Sequence, residues 1–186
     1  TMRQALHAGV DCVNDIWALR QTGAVDAVLE SQNCGIVLMH MQRDPLTMQF
    51  DPEYINVITE VKQFLKDRVA LLISSGIAMD RITIDPGFGF GKTLAHNIEL
   101  LARLPDFEVF ALPLLVGMSR KSMLGAILGG APVDQRLFAG VGAATIAALR
   151  GAHIIRTHDV RATREALAVA IAVLAAGDRK STRLNS

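Results

Sequence analysis

The sequence predicts an α/β fold on parallel strands: an incomplete TIM (β/α)8 barrel with about five of its eight strand–helix units. Three observations carry this expectation. Five short runs are apolar throughout and are separated by stretches of helical period, the pattern of strands buried on both faces. The residues that could carry chemistry stand at the C-terminal end of each run: Asn14 and Asp15, Met39 and His40, Asp85, Ser119 to Lys121, and Arg156 to His158. A barrel gathers such ends around one mouth, whereas a doubly wound sheet spreads them along an edge. Finally, a barrel of roughly 250 residues gives about 31 per unit, so the 186 residues hold about six units and about three strands are expected ahead of Thr1.

Taken in order, Arg3 to Gly9 has helical spacing with glycine at a C-cap, and Cys12 to Ile16 is a short buried strand ending in polar groups. Ala24 to Glu30 is a second helix and Gly35 to His40 a second strand. Asp51 followed by Pro52 has the character of an N-cap and first helical residue, and Ile58, Val61, Leu65, Val69 and Leu72 then recur at helical steps. The third strand, Ile82 to Ile84, leads into a glycine-rich loop, with a helix from Asn97 to Leu104 beyond it. Leu114 to Met118 is the fourth strand, Leu137 to Arg150 a helix closed by Gly151, and His153 to His158 the fifth strand. A helix from about Ala162 to Ala176 closes the barrel domain at residue 177, and the polar run from Asp178 to Ser186 is expected to be a disordered or foreign tail.

Composition narrows the function. At 51% hydrophobic and a net charge of +1, the chain can bury a large core and carries no basic run for nucleic acid. Cys12 and Cys34 have no metal or redox spacing and are expected to be buried free thiols, which fits a reducing cytoplasm. The longest apolar run, Ala166 to Ala176, is too short to span a membrane, so small molecules or another copy of the chain are the expected partners.

The loop Asp85-Pro86-Gly87-Phe88-Gly89-Phe90-Gly91-Lys92-Thr93 is the centre of the expected site. Its alternate glycines allow φ > 0 and close backbone approach, and Phe88 and Phe90 offer flat apolar faces, as a pocket for a planar polar ring requires. It is neither a phosphate loop, since Pro86 stands where that motif needs glycine, nor a dinucleotide fingerprint, since one residue separates Gly89 from Gly91. The competing reading is an ordinary βα turn. Asp85 and Asn14 can read a heterocycle's edge, although Asn14 and Asp15 also suit a strand-end turn. Arg120, Lys121, Arg156 and His158 bring cations to strand ends, as an anionic leaving group requires, against the alternative of solvated charge. His40 is expected to be packed and hydrogen-bonded, and His7, His96 and His153 structural or at the surface; no spacing suggests a metal site built from this chain.

Together, the Asp85 to Lys92 loop with Asn97, Gly117-Met118-Ser119-Arg120-Lys121-Ser122, Leu38 to Gln42, and Ile155 to Asp159 resemble the signature segments of bacterial dihydropteroate synthases. The resemblance runs from about residue 4 to 176. It implies an eight-stranded barrel that condenses 6-hydroxymethyl-7,8-dihydropterin diphosphate with p-aminobenzoate, giving 7,8-dihydropteroate and pyrophosphate, with Mg2+ on the diphosphate. It further implies that Asn14 and Asp85 bind the pterin, that Met39 and Gly117 pack around it, and that Lys121 contacts it. Lys121, Phe90 and Ser119 would shape the p-aminobenzoate side, and Arg156 and His158 would hold the diphosphate; Lys121, Arg156 and His158 are the implied catalytic groups. A homodimer through the C-terminal helices is also implied. The family's magnesium-linked asparagine, its second loop and a pterin-binding aspartate would precede Thr1, so this chain alone is expected to be inactive. Arg43 stands where many members have glycine. The alternatives are a pterin-binding methyltransferase barrel, which is expected to lack the Ser119 to Lys121 and Arg156 to His158 groups, and a non-catalytic barrel fragment.

Overall fold

The computed structural model describes residues 1–184, with side chains to residue 176. Among the described residues seven α-helices and five strands follow in the order α1 (Met2–His7), β1 (Cys12–Asp15), α2 (Ala24–Glu30), β2 (Gly35–Met39), α3 (Val57–Ser74), β3 (Ile82–Asp85), α4 (Leu94–Ala102), β4 (Leu115–Val116), α5 (Ser122–Ile127), α6 (Leu137–Leu149), β5 (Ile154–Ile155) and α7 (Val160–Leu184). All strand pairings are parallel, in the order β1-β2-β3 and β4-β5, and a parallel bridge from Ile84 to Leu114 links the two groups. The strands thus succeed one another in chain order without the reversal that defines a doubly wound sheet.

The core lies between this sheet and its helices. Ile36, Leu38, Ile82, Ile84, Leu114 and Val116 face it from the strands and meet Ile58, Val61, Leu65 and Leu72 of α3 and Leu100 of α4. Each such side chain contributes about 1.5–3 kcal/mol on burial. Because strand side chains alternate, the intervening Val37, Met39, Thr83, Asp85 and Leu115 point to the opposite, inner face.

Three expectations are corrected. Helix α3 begins at Val57 rather than at Pro52: Asp51 has a positive φ of 45°, while the Asn56 carboxamide accepts from the Thr59 N–H at 2.9 Å. The Glu60 carboxylate then takes the Ile55 and Asn56 N–H groups, closing the first turn. Strand β1 alternates between exposed and half-buried rather than being buried, because it is the edge of its sheet with β2 as neighbour; Cys12 is accordingly exposed, and Cys34 alone is buried. Helix α4 starts at Leu94, where Thr93 and His96 form a reciprocal capping box.

The expected boundary at residue 177 falls within α7, and Asn185 and Ser186 lie outside the described residues. The small residues Ala143, Ala144 and Ala147 of α6 are buried within the chain, and so is Ala170 of α7. Among the described residues, the exposed large apolar side chains of these two helices are Phe138, Ile146 and Leu149 of α6 and Val160, Val169, Ile171, Val173 and Leu174 of α7.

Candidate functional site

Strand parity assembles the site. Asp85 pairs with Met39 across the β2–β3 register, and both lie on the inner face. Asn14, opposite Val37, has the same parity on β1, and Gly117 and Arg156 continue the inward positions of Leu115 and Ile154 by two residues. Five expected residues from five strands therefore share one face at one end. Met39, Asp85 and Gly117 are buried, while Asn14 and Arg156 are exposed.

The glycine loop adopts the conformation its composition requires. Gly87, Gly89 and Gly91 all have positive φ, and a Cβ on Gly87 would stand 1.9 Å from the His40 carbonyl oxygen, so no other residue fits there. The loop's polar groups are held from several directions. The Asn97 carboxamide accepts from Gly89 N–H at 2.7 Å and donates to the Lys92 and Thr93 carbonyls. The Gln49 amide donates to the Gly89 carbonyl and the Tyr54 hydroxyl to that of Gly91. Phe88 departs from expectation: it is fully buried in the core, so only Phe90 presents its ring toward the mouth, beneath the Lys121 ammonium at 4.8 Å from the centroid.

Asp85 is the electrostatic centre. Its Oδ1 accepts from Gly87 N–H at 2.7 Å. Among the described residues its buried Oδ2 has no hydrogen-bond partner, and the Arg156 guanidinium at 3.7 Å offers charge but is too distant to donate. Burial raises the Asp85 pKa, against the pull of the Gly87 N–H and of Lys121, Arg156 and Lys92. Lys121 donates to the Phe88 carbonyl, and burial lowers its ammonium to about 8 against the opposing pull of Asp85. A Cβ on Gly117 would lie 2.9 Å from Arg156 Nε, so the glycine lets the guanidinium rest on the β4 backbone.

Beyond this buried part, the site opens to solvent. The Ser119 hydroxyl meets His158 Nδ1 at 3.0 Å and accepts from the His158 N–H at 3.2 Å, joining the ends of β4 and β5. Arg120, at a positive φ of 61°, pairs with Asp159 at 2.8 Å across the same gap. Asp15 serves its turn, with its carboxylate accepting from Trp17 and Leu19 N–H groups. Asn14 makes no side-chain hydrogen bond among the described residues.

Sequence reasoning missed Lys92, which is 5% exposed and donates to the Gly87 and Phe90 carbonyls while its ammonium meets His40 Nδ1 at 2.9 Å. The signal was a lysine in an apolar, glycine-rich loop with no acid beside it in sequence. His40 is packed as expected, edge-on to Phe64 at 5.0 Å, and burial pulls its pKa well below the usual histidine value. A groove of about 500 Å3 between α3 and the Leu104–Phe110 segment lies on the helical side and shares no residue with the strand ends. Among the described residues, no cluster of three His, Cys, Asp or Glu could hold a metal ion, and no helix is long and apolar enough to cross a membrane.

Comparison with known proteins gives a consistent result. Residues 1–158 match the family model described as "Pterin binding enzyme". The dihydropteroate synthase of Escherichia coli (strain K12) is 47% identical over 179 residues, covering 96% of this chain and 63% of that protein. The enzyme of the same name from Neisseria meningitidis serogroup C is 49% identical over 160 residues, covering 86% and 56%. The crystal structure of Yersinia pestis dihydropteroate synthase with a sulfonamide drug complex has a TM-score of 0.91 at 44% identity, covering 94% of this chain and 63% of that one. That of Burkholderia cenocepacia dihydropteroate synthase complexed with 7,8-dihydropteroate has a TM-score of 0.89 at 50% identity, covering 96% and 66%. The chain thus spans about 63% of the length of the first curated relatives, and its likeness to these structures implies a TIM barrel.

Proposed function

Since this chain belongs to the pterin-binding enzyme family, we propose that it forms the strand-end site of a dihydropteroate synthase, as five strands of an eight-stranded barrel. The observation that carries this reading is Asp85 Oδ2, a buried carboxylate oxygen with no donor among the described residues, beside the cations Lys121, Arg156 and Lys92. An unpaired buried acceptor is costly, and a ring carrying N–H donors would satisfy it. The pterin would donate to Asp85 and Asn14, with Met39 and the bare backbone of Gly117 as its apolar surroundings. Lys121 would contact the pterin from the Phe90 side, and Lys121, Phe90 and Ser119 would border the p-aminobenzoate.

In the proposed reaction the bond from the pterin methylene carbon to the diphosphate oxygen breaks, its electron pair leaving on pyrophosphate. The resulting methylene cation is attacked by the p-aminobenzoate nitrogen, which then releases its proton. Arg156 and His158 would receive the leaving group's developing charge, and preorganised cations lower the barrier because they need no reorganisation as that charge appears. The magnesium ion implied by the resemblance would travel on the diphosphate. The described residues do not fit it as a protein-held ion, since no three His, Cys, Asp or Glu side chains cluster among them.

The methyltransferase alternative is disfavoured by the Ser119–His158 and Arg120–Asp159 contacts, which join the two segments that reading would lack. The exposed Phe138, Ile146, Val169 and Val173 support association of two copies through α6 and α7. The function is tested by supplying the complete protein with dihydropterin diphosphate, p-aminobenzoate and magnesium. Dihydropteroate should form and Asp85→Asn should suppress it; absence of product from the parent would refute the reading.

A further inference from the structure

Lys92 is a buried cation that the proposed reaction does not use. Its ammonium has three protons and three neutral partners: the Gly87 carbonyl at 2.9 Å, the Phe90 carbonyl at 3.1 Å and His40 Nδ1 at 2.9 Å. Among the described residues no carboxylate hydrogen-bonds to it, although Asp85 acts on it through charge. Accepting at Nδ1 places the His40 ring proton on Nε2.

Lys92 and Lys121 hold the same loop from different sides. Lys92 takes the carbonyls of Gly87 and Phe90, while Lys121 takes that of Phe88 between them. The Gly87 carbonyl fixes the Gly87–Phe88 peptide, and the N–H of Gly87 is the single donor to Asp85 Oδ1 among the described residues. The residue that turns the loop's interior carbonyls inward therefore also orders the segment that binds Asp85 and carries Phe90.

We propose that Lys92 is a positioning residue of the pterin site: its ammonium fixes the glycine loop through two carbonyls and His40, and acts as an interior counter-charge to Asp85. This rests on the pterin-binding reading above. The groups that face Asp85 are the Gly87 N–H and the cations Lys121, Arg156 and Lys92. Those that act on Lys92 are Asp85, Lys121 and the neutral His40. Below about pH 7 Lys92 carries its proton, while burial raises the Asp85 carboxyl above its ordinary value.

The test is pterin affinity against pH, by calorimetry, for the complete protein and its Lys92→Met variant. The parent should lose affinity in acid as Asp85 protonates. Lys92→Met should bind about tenfold more weakly at pH 6, with its acid limb displaced upward by about one pH unit. A loss of packing alone would weaken binding without moving the limb, so an unmoved limb overturns the proposal. A parent that binds no pterin would overturn the underlying reading as well. Should Lys92→Met not fold, 15N-histidine NMR of the unmodified protein decides. His40 Nδ1 should be an unprotonated acceptor at pH 6, and a protonated Nδ1 would overturn the proposal.

Discussion

At the end of β3 the polar groups are buried, with Asp85 Oδ2 left open among otherwise fixed partners, whereas beyond β4 and β5 Ser119 and Arg120 pair with His158 and Asp159 at the surface. Asp85, Lys92 and Asn97 are each at most 5% exposed, while Arg120, Arg156 and His158 are open to water. The difference follows what each part is proposed to bind. A neutral ring is recognised by few hydrogen bonds, which discriminate strongly only where water cannot replace them. A diphosphate brings its own charge and is attracted by exposed cations even through partial screening. The buried part should therefore fail abruptly when disturbed, and the exposed part gradually.

The largest effect is expected at Gly87. An Ala there would combine a positive φ with a Cβ 1.9 Å from the His40 carbonyl, and should destabilise the protein by more than about 3 kcal/mol. Denaturant unfolding would measure it, and a loss under about 1 kcal/mol would mean that the loop is looser than its contacts imply. Asn97→Ala comes next. It removes three hydrogen bonds at a buried position and should cost about 1–3 kcal/mol, read in the same experiment.

Stability against pH sharpens the contrast further. Lys92 titrates near 7 when folded, against 10.5 as the ordinary lysine value, so between these the unfolded chain holds a proton that the folded chain has released. Unfolding free energy should consequently rise with pH across that window through Lys92, and Lys92→Met should remove this part of the slope. A parent and variant with parallel pH profiles would show that Lys92 does not titrate there. The smallest effect is expected at the exposed Arg120–Asp159 pair, where Arg120→Ala should leave the melting temperature nearly unchanged. A clear drop would mean that the exposed part is more tightly built than its burial suggests.

Most of the fold was legible because its cause is local. Apolar runs such as Gly35 to Met39 and the three- and four-residue steps of α3 record burial directly. The start of α3 was misread because Asp51-Pro52 and Asn56 both have capping character, and only the hydrogen bonds from Thr59, Ile55 and Asn56 decide between them. Cys12 was misread because burial of an edge strand depends on neighbours that its own residues do not encode. In the site, the parity that joins Met39, Asp85, Gly117 and Arg156 can be counted from the sequence. The role of Lys92 cannot, because its partner His40 lies 52 residues away and its other bonds are to backbone carbonyls, which carry no residue-type signal.

The division between a buried ring site and an exposed anion site is tested most directly by a crossed titration of the complete protein. Asp85→Asn and Arg156→Ala would each be titrated with a pterin lacking phosphate and with the pterin diphosphate. Asp85→Asn should weaken both ligands by a similar factor, since it places an amide donor against ring N–H groups. Arg156→Ala should weaken the diphosphate ligand far more than the bare pterin, because only the former loses a charged contact. Unchanged affinity in Asp85→Asn, or equal losses for both ligands in Arg156→Ala, would contradict that division.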